Sequence, residues 1–122
     1  IVGAPELRRG WETPQGGNPQ YEALLGGAPE QVPQQYKAAS PLTYVSKDDP
    51  PVLTLHGDRD TLVPLEQAEL LDAKMKDVGA LHTLVVLRRQ AHLFDADARD
   101  LAQACMYAFF DRHLKNHKAG IQ

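Results

Sequence analysis

Residues 51–64 read Pro-Val-Leu-Thr-Leu-His-Gly-Asp-Arg-Asp-Thr-Leu-Val-Pro, and no other stretch constrains the fold as much. Val52, Leu53, Thr54 and Leu55 form a short, largely apolar run without strict alternation. That is the pattern of a strand covered on both faces, as in a parallel sheet. Asp49-Pro50-Pro51 sets an extended entry into it. The run stops at His56-Gly57, an acidic loop holding Asp58 and Asp60 follows, and a helix opens at Pro64.

The helix is legible in its spacing. Leu65, Ala68, Leu71, Met75 and Val78 repeat along one face, charged residues take most of the other, and Gly79 is a C-terminal stop. A second β-rich run covers residues 81–87, and the polar Arg88-Arg89-Gln90 leads to His92. Over residues 96–114, Ala98, Leu101, Ala102, Cys105, Ala108 and Phe109 mark one face of a long helix. Strand, helix, strand, helix is the pattern of a parallel α/β sheet. Two central-looking strands do not make a stable sheet, and Ile1-Val2 offers at most a third. The expectation is a segment of a larger α/β sheet whose other strands lie upstream or on a separate polypeptide. The Ile-Val-Gly opening, with neither Met nor a signal peptide, reads the same way.

Before the first strand, residues 3–20 are rich in Gly and Pro and read as loop, with Trp11 as a packing anchor or a pocket wall. Residues 19–25 suggest a short helix capped by Asn18 and stopped by Gly26-Gly27. Residues 29–39 suggest another, irregular at its start because of Pro33. Residues 42–49 read as a connector. The expected organisation is a loop and short-helix, cap-like segment over 1–50, a βαβα unit over 51–116, and a polar tail over 117–122.

The 122 residues suffice for one domain. With 43% hydrophobic and 24% charged residues, the chain has the make-up of a globular protein. A formal net charge of −3 gives no footprint for nucleic acid, and no apolar run is long enough to span a bilayer. The single cysteine, Cys105, excludes an internal disulfide and reads as a core residue.

In open parallel sheets, functional groups gather at the C-terminal ends of the strands. Asp58 and Asp60 follow the first strand and His92 follows the second. Adjacent strands lie about 4.8 Å apart, so the two loops bring carboxylate and imidazole within hydrogen-bond reach. The carboxylate then holds Nδ1–H and leaves Nε2 to act as a base on a hydroxyl. Asp58 reads as a loop hydrogen-bonder, His56 as structural, and His82, His113 and His117 as surface residues. His56-x-Asp58-x-Asp60 is a weak metal signal, because the three groups share one loop with no second segment.

His56-Gly57-Asp58-Arg59-Asp60-Thr61-Leu62-Val63-Pro64 resembles the His-Gly-x-x-Asp-x-x-Val-Pro signature of the α/β-hydrolase superfamily, in its esterase/lipase and prolyl-oligopeptidase-like branches. Leu25-Gly26-Gly27-Ala28-Pro29-Glu30, Tyr36 and the run from Ala39 to Val45 resemble a narrower group of small carboxylesterases, those described as feruloyl- or acetyl-xylan-esterase-like. Ala91-His92-Leu93-Phe94 stands where that family has Gly-His-Gly-Phe. The resemblance implies the C-terminal part of an α/β-hydrolase sheet, with Asp60 as triad acid and His92 as triad base. It implies a small acyl or aryl ester as substrate and no metal or organic cofactor. Trp11, Leu62 and Phe94 are the candidate substrate-pocket residues.

Two departures accompany it. The nucleophile elbow, Gly-x-Ser-x-Gly, is absent, as is the oxyanion segment, and the serines Ser40 and Ser46 lack flanking glycines. Ala91 and Leu93 replace the glycines beside the histidine, which narrows the pocket or moves the loop. The expected partner is therefore an N-terminal half carrying the serine, and the chain by itself is expected to be inactive. The alternative is a non-catalytic α/β segment whose role is packing or partner binding, with self-association through exposed strand edges.

Overall fold

The computed structural model describes residues 5–12 and 16–115. In chain order the elements are α1 (Leu7–Trp11), α2 (Pro19–Leu25), α3 (Pro33–Ala39), a 3-10 turn (Pro41–Tyr44), β1 (Val52–Gly57), α4 (Leu65–Val78), β2 (His82–Leu87) and α5 (Ala96–Phe110), which runs into a π turn at Asp111–Lys115. The strand suggested at Ile1-Val2 and most of the expected tail lie outside the described residues.

β1 and β2 pair in parallel, with Val52 opposite His82 and Gly57 opposite Leu87. Period-two alternation then sends the side chains to two faces. On one face Leu53, Leu55, Val85 and Leu87 pack with Ala98 and Ala102 of α5, joined by Phe94 and Cys105. On the other, Val52 packs with Leu71 and Met75 of α4, with Ala80, Leu42 and Val45. One helix on each face leaves β1 buried on both sides from Thr54 onward, which is why its sequence does not alternate. This is a parallel α/β arrangement with two strands among the described residues.

The helix ends follow local chemistry. Asn18 Oδ1 accepts from the amides of Gln20 and Tyr21, and Gly26 takes the left-handed conformation that closes α2. Gly79 does the same for α4 at φ 82°. Asp95 Oδ1 caps α5 through the Ala98 amide. Two expectations need correction. Residues 7–11 are helical rather than loop, because the Glu6 carboxylate accepts from the Arg8 amide and caps a single turn in spite of Gly10. α3 begins only at Pro33, since proline fits the first turn of a helix but not its interior.

The segment before the sheet is tied to it by polar contacts. The buried Gln67 side chain of α4 accepts from the Glu6 amide at 3.0 Å and donates to its carbonyl at 2.9 Å. Ser40 Oγ, fully buried, donates to Tyr36 O at 2.7 Å and accepts from Leu7 N at 2.9 Å. Tyr36, also fully buried, donates its hydroxyl to Gly27 O.

Candidate active site

The β1–α4 loop presents Asp60. Its Oδ1 accepts from the amides of Leu62 at 2.9 Å and Val63 at 2.8 Å, an Asx-type turn that fixes the carboxylate at the strand end. The buried His56 holds the same turn from below, its Nε2 lying 2.7 Å from Val63 O and 3.5 Å from Asp60 Oδ2. His56 is thus a structural residue of the loop, as its place at the strand end suggested.

Asp60 Oδ2 then meets His92 Nδ1 at 2.8 Å across the two loops. Burial alone would push the Asp60 carboxyl up. The Val63 amide, the His92 imidazole and the Leu62 amide outweigh burial and hold it below the ordinary carboxylate range. The group is ionised at neutral pH and can only accept, so Nδ1 carries the proton between them. The Asp60 side chain is 3% exposed and that of His92 29%. The imidazole therefore has a buried, carboxylate-bound side and a partly open side, the asymmetry a general base needs.

Asp58 is a loop hydrogen-bonder, with Oδ1 accepting from the Arg89 amide at 2.7 Å. His56 and Asp60 thus share the turn at Val63, whereas Asp58 faces the other loop. Leu62 is 74% exposed beside Asp60. Phe94 is half-buried against the Leu55, Leu87 and Ala98 cluster. Trp11 is the last residue of α1. Ser40 is sealed in its hydrogen bonds, and the exposed Ser46 closes a turn with Asp49.

One expectation fails clearly. His82 is not a surface residue, for its side chain is fully buried. Nδ1 donates to Asp72 Oδ1 at 2.8 Å, and Nε2 accepts from Thr54 Oγ1 at 2.8 Å. Acid, imidazole and hydroxyl stand in the order of a catalytic relay, but Thr54 is 2% exposed, so the set ties α4 to both strands instead. His113 is likewise half-buried, its ring 4.5 Å from that of Phe109, and His117 lies outside the described residues. A polar residue at the start of a β-rich run was the signal available for His82. The acid that satisfies it sits ten residues earlier on a helix face, which spacing alone does not pair.

The BD-FAE family model matches residues 5–75, a span that includes Asp60 and ends before His92. Esterase LipQ of Mycobacterium tuberculosis is 39% identical over 67 residues, which is 54% of this chain and 16% of that protein. The chain thus spans about a sixth of that relative's length. Among solved structures, a puromycin-hydrolyzing peptidase of Mycobacterium tuberculosis superposes with a TM-score of 0.79 at 25% identity, over 93% of this chain and 17% of its own. A truncated carbohydrate esterase from gut microbiota gives a TM-score of 0.60 at 32% identity, over 71% and 30%. The signature around Asp60, the parallel strand pair between two helices and these matches agree, and the chain belongs to the BD-FAE family of esterase-like α/β-hydrolases.

Proposed function

We propose that this chain supplies the acid and the base of a serine-type carboxylic ester hydrolase. The observation that carries the reading is the 2.8 Å contact between His92 Nδ1 and the buried, ionised Asp60 carboxylate. Asp60 orients the ring and stabilises the imidazolium. Nε2 takes the proton from a serine hydroxyl as that oxygen attacks the ester carbonyl, then returns it to the departing alcohol. The substrate is a small acyl or aryl ester, with Leu62, Phe94 and Trp11 as the candidate pocket residues and residues 1–50 as a cap-like segment. The nucleophile and the oxyanion donors come from outside these 122 residues, since Ser40 and Ser46 are both committed to structural hydrogen bonds. A base without them has little to act on, so the chain alone does not turn over esters.

Fluorophosphonate labelling of the purified protein, read by intact mass, tests this. The expected result is no adduct on residues 1–122 and one adduct on the sequence that supplies a Gly-x-Ser-x-Gly. An adduct on Ser40 or Ser46 overturns the assignment.

A second reading, a non-catalytic segment acting by packing, draws on Tyr107, Phe110 and Leu114, exposed along one side of the last helical turns. Stable self-association without any labelled partner would favour it.

A further inference from the structure

Asp60 and His92 sit on separate loops, and their 2.8 Å contact requires those loops to hold one mutual position. Three further hydrogen bonds join the loops. The Asp58 amide donates to Leu87 O at 3.1 Å, the Arg59 amide donates to Gln90 O at 2.9 Å, and the Arg89 amide donates to Asp58 Oδ1 at 2.7 Å. The last is the shortest and the one that uses a side chain.

It falls at a distinctive place. Arg89 has φ 61° and is the non-glycine residue with positive φ among the described residues. Side-chain-bearing residues avoid this left-handed conformation because Cβ crowds the carbonyl oxygen. The turn sends the chain leaving β2 back over the end of β1. There Gly57 leaves the room: a Cβ at Gly57 would stand 2.2 Å from Gln90 O and 2.6 Å from Ala91 O. The far end of the loop is closed by Gln90, whose Nε2 donates to Asp95 Oδ2 and whose Oε1 accepts from the Asp95 amide. Base and far end are thus fixed, with His92 between them.

The geometry points to Asp58 as a positioning residue for the Asp60–His92 pair: its carboxylate holds the Arg89 turn, and that turn sets the place from which His92 Nδ1 reaches Asp60 Oδ2. The inference rests on the acid–base reading given above. Asp58 acts through the loop backbone, and what the position needs is an acceptor oxygen rather than a charge. Asp58→Asn keeps an acceptor and Asp58→Ala does not.

The test is the low-field proton NMR resonance of the carboxylate-bound His92 Nδ1–H, told apart from that of the Asp72-bound His82 by its loss in His92→Gln, recorded on the intact protein with ester hydrolysis in parallel. Asp60→Ala is expected to abolish the resonance. Asp58→Ala is expected to lose or broaden it and to lower kcat by about tenfold to a hundredfold with KM little changed, the signature of a misplaced base. Asp58→Asn is expected to restore both. Should Asp58→Ala fail to fold, the double variant Asp58→Ala/Arg89→Gly carries the test, because glycine takes the turn unaided; the resonance should then return at least in part. An Asp58→Ala protein that keeps the resonance and kcat, an Asp58→Asn protein that restores neither, or a folded double variant without the resonance overturns the positioning role. Persistence of the resonance in Asp60→Ala overturns the acid–base reading beneath it.

Discussion

At the scale of single residues, the site depends on one carboxylate with several donors. Asp60 receives two backbone amides on Oδ1 and an imidazole on Oδ2. Asp60→Asn retains the turn's acceptor but removes the charge that fixes the His92 tautomer. Steady-state ester hydrolysis by the intact enzyme should therefore lose on the order of ten-thousandfold in kcat, with KM changing far less. The same group couples stability to acid. Its pKa is lower in the folded protein than its ordinary value of 3.8, so the unfolded chain binds the proton first as pH falls. The stabilisation is complete above that ordinary value and is lost as pH falls through the folded one. Chemical denaturation across this acid range should show a shallower pH dependence in Asp60→Asn than in the wild type. An unchanged slope would mean that Asp60 is not the group held low.

Elements are joined here by polar ties as much as by apolar packing. Thr54, His82 and Asp72 link β1, β2 and α4 through two 2.8 Å hydrogen bonds, and Lys76 adds a second contact to Asp72 from the solvent side. Burial alone would raise the Asp72 carboxyl, but the Lys76 ammonium and the His82 imidazole hold it below the ordinary range. Removing the imidazole leaves the Thr54 hydroxyl buried with no replacement partner. His82→Ala should cost about 1–3 kcal/mol, read from the midpoint of a denaturant titration. An effect near zero would show that water or a shift of α4 replaces the tie.

For the whole molecule, the two-stranded sheet is the governing fact. Parallel strands are found inside sheets with both faces covered and with neighbours on their edges. Here α4 and α5 cover the faces, and within the described residues each strand has a single paired edge. The chain alone is therefore expected to associate through its open edges, seen as a concentration-dependent mass in light scattering. A stable monomer at all concentrations would contradict this. Among the described residues no helix is long and apolar enough to cross a membrane.

The amino-acid sequence by itself determined the elements from residue 51 onward. Unalternating apolar residues, helical spacing and the Gly79 stop are local signals, and local signals fix local structure. It also set the expectation of an Asp60–His92 contact, because loops that follow neighbouring parallel strands come within reach of each other. The short helix at Leu7–Trp11 carries no legible sequence signal, because its cap is a single Glu6 contact among glycines and prolines. Tertiary structure alone decided the rest. That His82 is buried against Asp72 depends on which way α4 lies across the sheet. That Asp58 reaches the Arg89 amide, and that Gly57 lies under Gln90, depends on how two loops distant in sequence close on each other. Such contacts leave no periodicity to read, because they arise from the packing of segments rather than from the run of residues within one.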